Sequence, residues 1–255
     1  MLILTLRRHA HRLHRWLGLL IGLQVLIWLA GGLVMSALPI ERVRGEHRIA
    51  EQAVTAVAPD AVLPLAEAAA GAGVQALRTA RLARRVGTPV WHLEAADGRT
   101  AVVDALTGRI LPPLNAKEAR AAAEADYAGP GSVSAVERLT EPPTEYGRPG
   151  PVWRVTFGDL DATALYVDET TGAVRARRSR TWRSFDLAWR LHVMDYDDGA
   201  DFNHPLLIGA AGVAVVFALS GLVLALLWIW RTGQGRLRAR AARARQALPR
   251  ENTAL

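Results

Sequence analysis

The sequence predicts an α+β domain carried between two transmembrane α-helices. Three observations lead there: two uncharged apolar runs, a mostly polar stretch of 166 residues between them, and a repeat inside that stretch. The runs are Trp16–Leu38 and Pro205–Trp230, 23 and 26 residues long, without Lys, Arg, Asp or Glu. About 20 apolar residues, each rising about 1.5 Å, cross a hydrocarbon core of roughly 30 Å. Either run is long enough. A cleaved signal peptide is the rival for the first, but its apolar segment would be only about 7–15 residues long, and Ser36-Ala37-Leu38 is a poor cleavage site.

Charge orients the chain. Residues 1–15 hold Arg7, Arg8, Arg12 and Arg15 and no acid, and the tail from Arg231 holds seven Arg against Glu251 alone. The loop 39–204 is net −3, so the overall +7 belongs to the tails and gives no argument for nucleic acid. Basic flanks stay in the cytoplasm. Both termini are therefore expected inside a bacterial inner membrane, with the loop in the periplasm. The Arg236–Arg245 run finishes that signal, and would also attract anionic lipid. Trp16, Trp228 and Trp230 are expected together at the cytoplasmic interface, where amphipathic rings settle. The chain has no Cys, which removes disulfides, thiolate metal sites and covalent haem attachment.

Laid against itself at an offset of about 64 residues, the loop repeats. Val90-Trp91-His92-Leu93, a turn at Asp97-Gly98 and Ala101–Ile110 match Val152-Trp153-Arg154-Val155, a turn near Gly158-Asp159 and Leu165–Val174. Trp153, Val155 and Phe157 alternate with Arg154 and Thr156, the pattern of a half-buried strand. Asp97-Gly98 suits a tight hairpin with two positive-φ residues. Each copy ends in Asp-x-x-Thr-Gly (Asp104–Gly108 and Asp168–Gly172), where the carboxylate can accept backbone N–H groups and Gly takes the left-handed position. Ala-rich helical stretches, Leu65–Ala70 and Lys117–Tyr127, precede the hairpins, and Glu141–Pro151 reads as a loop.

The helix-plus-hairpin ending in Asp-x-x-Thr-Gly resembles the PepSY domain. Leu13-His14-Arg15-Trp16-Leu17-Gly18-Leu19 and Trp189-Arg190-Leu191-His192 resemble the two Leu-His elements of the PepSY-associated transmembrane family. The resemblance covers nearly everything before Arg231. It implies an inner-membrane protein linked to iron acquisition, some longer members being haem-containing ferric-siderophore reductases. PepSY domains elsewhere imply modulation of periplasmic proteases. Two spans are fewer than those reductases have. The expected order is a basic tail (1–15), a span (16–38), PepSY-like units (39–112 and 113–180), an interfacial helix with an acidic turn (181–204), a span (205–230) and a basic tail (231–255).

Neutral imidazole is the commonest haem-iron and metal ligand available to a Cys-free chain. His14, with His11 on the same helical face, is a candidate near the inner surface. His192 is a second, in the stripe Trp182, Phe185, Trp189, His192, Tyr196 of a surface helix. His204, at the mouth of the second span, is a third. Each has a plain alternative, as an interfacial or packing residue. About 30 Å is expected between His14 and the other two, so haem b with two histidine ligands would pair His14 or His192 with its mate in a homodimer, or His192 with His204 of the same chain. Small residues at Gly18, Gly22, Gly209, Gly212, Ser220 and Gly221 allow close helix approach. They serve a dimer or the packing of one chain's own spans equally. Asp195, Asp197, Asp198 and Asp201 read as a solvated acidic turn, with an oxygen-ligand cation as the alternative. No hydrolase triad, phosphate loop or dinucleotide fingerprint occurs. The sequence supports two functional classes. One is a haem-binding electron-transfer or accessory component in periplasmic iron or metal reduction, working with a membrane redox partner. The other is a non-enzymatic module that grips a periplasmic protein.

Overall fold

Thirty-six residues without Pro or an internal acid run as one helix, α1 (Leu2–Ala37), until Pro39 ends it. The computed structural model describes residues 2–51 and 56–246. In chain order there follow α2 (Ile40–Val43), α3 (Leu65–Gly71), β1 (Leu77–Arg85), β2 (Thr88–Ala95), β3 (Thr100–Asp104) and α4 (Ala116–Asp126). Then come β4 (Val133–Leu139), β5 (Val152–Phe157), β6 (Ala164–Asp168), β7 (Val174–Arg178), α5 (Arg180–Val193) and α6 (Pro205–Gln246). The expected basic tails are thus helical continuations of the spans through Gln246, and residues 247–255 lie outside the described part. The chain divides into two units, residues 1–33 with 190–255, and residues 34–189.

In the first unit, segments Arg8–Ala37 and Pro205–Gly235 are each long and apolar enough to cross a membrane. Their large side chains face outward; Leu19 and Leu20 are 75 % and 76 % exposed. A face so apolar suits lipid, and a helix satisfies its own backbone there. Gly18 lies against Phe217, and Gly221 against His14, so the helices run antiparallel. That pairing sets Pro205 level with about residue 30 and Trp230 level with about residue 5, at roughly 1.5 Å per residue. Trp16 and the pair Trp228 and Trp230 therefore stand roughly 15 Å apart along the axis rather than at one level. Gly22, Gly209 and Gly212 meet open space.

The second unit is antiparallel throughout, with sheets β1-β2-β3 and β4-β5-β6-β7. The repeat recurs in the polar contacts of its tryptophans and its Asp-x-x-Thr-Gly turns. Trp91 and Trp153 donate their indole N–H to Leu63 O and Leu114 O, both at 3.0 Å, and pair across the sheet with Val103 and Val167. Asp104 accepts from the N–H groups of Leu106 and Thr107, and Asp168 from those of Thr170 and Thr171. Gly108 and Gly172 sit at φ 73° and 72°, where a side chain would be strained. Asn115 and Glu118 form a reciprocal capping box that starts α4.

Several local expectations change. The Asp97-Gly98 turn has positive φ only at Gly98, with Ala95 N–H bonded to Arg99 O, which makes it a three-residue loop. Strands β1 and β4 open each sheet as edges and were not expected. The closing strand of the first copy shrinks to a single Val103–Ile110 bridge. Strand β6 is buried on both faces. Ala119, Ala123, Trp153, Phe157 and Leu165 pack on the α4 side, while Tyr146, Val152, Tyr166 and Ala176 form a second cluster. The Pro/Gly-rich loop thus supplies core: Tyr146 stacks on Tyr166 at 5.2 Å. Residues 46–50 pack on the second copy, with Ala50 N–H bonded to Asp126 O and Ala128 N–H to Arg48 O.

Candidate functional site

The candidate ligands fall at two levels of the helix pair. His14 is half-buried between α1 and α6, its ring stacked on Phe217 at 4.4 Å and 6°. A Cβ on Gly221 would come within 3.0 Å of that ring, so the glycine makes room for it. Ser220 Oγ donates to Phe217 O at 2.7 Å, which leaves its lone pairs to accept from His14 Nδ1–H at 2.9 Å. That bond fixes the ring and leaves the lone pair of the neutral imidazole on Nε2. Ser220 stands fifteen residues into α6, about 22 Å from its start. His14 is therefore flanked by the second apolar run rather than standing at its end.

His192 lies on the last turn of α5. Its backbone carbonyl accepts from Trp28 Nε1 at 2.7 Å, and the two rings lie 6.4 Å apart. Its Nδ1 is buried and finds no hydrogen-bond partner among the described residues. Gln24 donates to Leu191 O one residue earlier. The aromatic stripe is shorter than expected, because α5 stops at Val193, Met194 turns to φ 57°, and Tyr196 is 59 % exposed beyond the helix. Fourteen residues of α1 separate His14 from Trp28, about 21 Å. One iron cannot reach both histidines.

His204 is a cap. Its Nδ1 accepts from Leu207 N–H at 3.4 Å in the first turn of α6, and its Nε2 donates to Val193 O at 2.9 Å. The ring stitches the end of α5 to the start of α6, and both nitrogens are occupied in doing so. The acidic turn is organised by its own backbone. Asp195 accepts from the N–H groups of Asp197 and Asp201, which hold its carboxyl below the ordinary range. Among the described residues no three His, Cys, Asp or Glu side chains converge as a metal set.

Two features lay beyond the sequence reading. His9 lines an apolar groove of about 600 Å³ with Leu13, Trp16, Val216 and Leu219, and its Nδ1 bonds to Thr5 O at 2.8 Å. In the second unit, Arg81, His92 and Arg175 line a groove of about 680 Å³ with Glu94, Asp168 and Thr170. Burial, and then the Arg81 charge, hold the His92 ring below its ordinary pKa. Neither groove carries a motif, because each joins residues from separate elements.

Two helices long and apolar enough to cross a membrane, before and after an α+β domain, define a membrane protein. The PepSY-associated TM region family matches residues 11–249, and the chain belongs to that family. No curated protein and no solved structure matches it.

Proposed function

We propose that this protein is a haem-binding electron-transfer or accessory component of periplasmic iron or metal reduction and uptake. In this reading each helix-plus-sheet copy is a PepSY unit, and the setting is a bacterial inner membrane. The observation that supports it is the buried, unpartnered Nδ1 of His192. A buried polar nitrogen without a partner costs about 1–3 kcal/mol, and a ligated iron would remove that cost. His192 would hold the haem at its level, and the lone pair on His14 Nε2 would offer a second point of attachment at the other level. Haem b, when bound, supplies a one-electron carrier. A second copy of the chain or a membrane redox partner would supply the residues that complete either site. His204 positions α5 in this arrangement and does not ligate.

The spectrum tests the reading. Protein purified from haem-replete cells is expected to show a b-type Soret band that His192→Ala greatly diminishes, while His47→Ala and His92→Ala leave it unchanged. A colourless protein, or a band indifferent to His192, overturns it. That outcome would favour a non-enzymatic PepSY module gripping a periplasmic protein through the Arg81 and His92 groove.

The proposed orientation follows from the Arg-rich ends. Alkaline phosphatase fused after Ala50 or Asp198 is expected to be active, and fused after Gly235 inactive. Activity at Gly235 would reverse the second span.

A further inference from the structure

A cavity of about 360 Å³ in the second unit belongs to none of the histidine sites. It falls near the lower end of the roughly 300–1,000 Å³ usual for small-ligand pockets. Leu38, Arg42, His47, Arg177, Arg178 and Thr181 form part of its wall. Leu38 directly follows α1 and is bonded through its N–H to Val34 O, in the last turn of the spanning helix.

The charges around it do not balance. Arg48 is clamped by Asp159 and Asp161, and Arg177 by both oxygens of Asp126. Glu145 is shared between Arg183 and the Tyr166 hydroxyl. Arg178 donates to the carbonyl oxygens of Glu145 and Arg177 and lies over the Trp182 ring at 4.1 Å. Arg42 is exposed, and its side chain makes no hydrogen bond or ion pair among the described residues. Of the charged residues that line the cavity, Arg42, Arg48, Arg177 and Arg178 stand against Asp161, with His47 beside them. The N-terminus of the 14-residue α5 adds to the field, with Ser179 capping it through Trp182 N–H. Val43 and Leu165 give the same cavity an apolar side.

We propose that this cavity binds a phosphate group, with Arg42 as its open contact. A wall rich in guanidinium groups matches a phosphate anion. The apolar wall beside the end of the span suits the headgroup of an anionic phospholipid, and a free phosphate anion shares the recognised chemistry.

The test uses the full-length protein, delipidated in detergent, with inorganic phosphate and phosphatidylglycerol titrated separately. Arg42→Ala is expected to weaken the binding roughly fivefold, the worth of one basic contact near a membrane surface. Arg42→Lys should retain most of it, and Arg44→Ala, whose side chain pairs with Glu46, should leave it unchanged. Tight binding in the lipid arm alone identifies a headgroup, and binding in both arms a phosphate anion of either source. Absence of binding in both arms, or equal affinity in wild type, Arg42→Ala and Arg44→Ala, overturns the proposal. Arg42 is exposed, so its variants keep the fold, which an unchanged circular-dichroism spectrum verifies.

Discussion

Trp153→Ala is expected to destabilise the α+β unit by about 3–5 kcal/mol, the usual cost of truncating a buried aromatic. Trp153 is only 9 % exposed and packs with Leu114, Ala119 and Val167 under α4. Its indole N–H also ties β5 to Leu114 O, just ahead of that helix. Trp153→Phe keeps most of the area and forfeits the hydrogen bond, so its loss should be nearer 1 kcal/mol plus the missing ring volume. Pulse proteolysis of the full chain in detergent across a denaturant series reads both. A Trp153→Ala midpoint equal to wild type would mean that the indole supports nothing. Membrane insertion, which depends on α1 and α6, should be unaffected.

Asp159→Ala is the second large effect. Its side chain is 1 % exposed and accepts from Arg48 (2.8 Å), the Tyr127 hydroxyl (2.6 Å), Thr163 N–H (2.8 Å) and Thr163 Oγ1 (2.6 Å). Removing one partner of a buried pair costs about 3–5 kcal/mol. Arg48 keeps Asp161, so the lower end of that range is expected here. Burial alone would raise the Asp159 carboxyl, but the bonds from Thr163 and Tyr127 and the Arg48 charge outweigh it and hold it below 3.8. A depressed folded pKa contributes stability that is fully present above the ordinary value and is lost as pH falls through the folded one. The Asp159 contribution to stability should therefore be constant above about pH 4 and be lost below it. Asp159→Asn should start lower and show a shallower acid limb. Parallel acid limbs in the two proteins would remove Asp159 from the account.

What was legible in the sequence was whatever chemistry forces locally. A run of 23 uncharged residues has few destinations besides a membrane. The Asp-x-x-Thr-Gly turns were readable because a carboxylate, two N–H groups and a left-handed glycine interlock within five residues. Edge strand β1 was not, because Arg78, Arg81 and Arg84 recur every third residue and hide the two-residue period; such charges are how an exposed edge avoids pairing. Histidine was recognised as the site-bearing residue type, but its roles were not assignable. The partner that fixes His14 is Ser220, 206 residues away, and the carbonyl that occupies His204 belongs to a different helix. The Arg48, Tyr127 and Asp159 cluster draws on three distant segments and leaves no local trace.

The axial offset of α1 and α6 has a consequence for the bilayer itself. Either helix alone is long enough to span, yet their uncharged stretches run side by side only from Trp16 to about residue 30, roughly 20 Å. A hydrocarbon core is nearer 30 Å thick. Arg12 and Arg15 stand beside the apolar part of α6, where long guanidinium side chains must stretch toward the headgroups. Hydrophobic mismatch of this kind is relieved by tilting the pair or by thinning the surrounding lipid, at fractions of a kcal/mol per Å. Lipid with a thinner hydrocarbon core would leave this pair less mismatched at the register that the Gly221 and His14 contact sets.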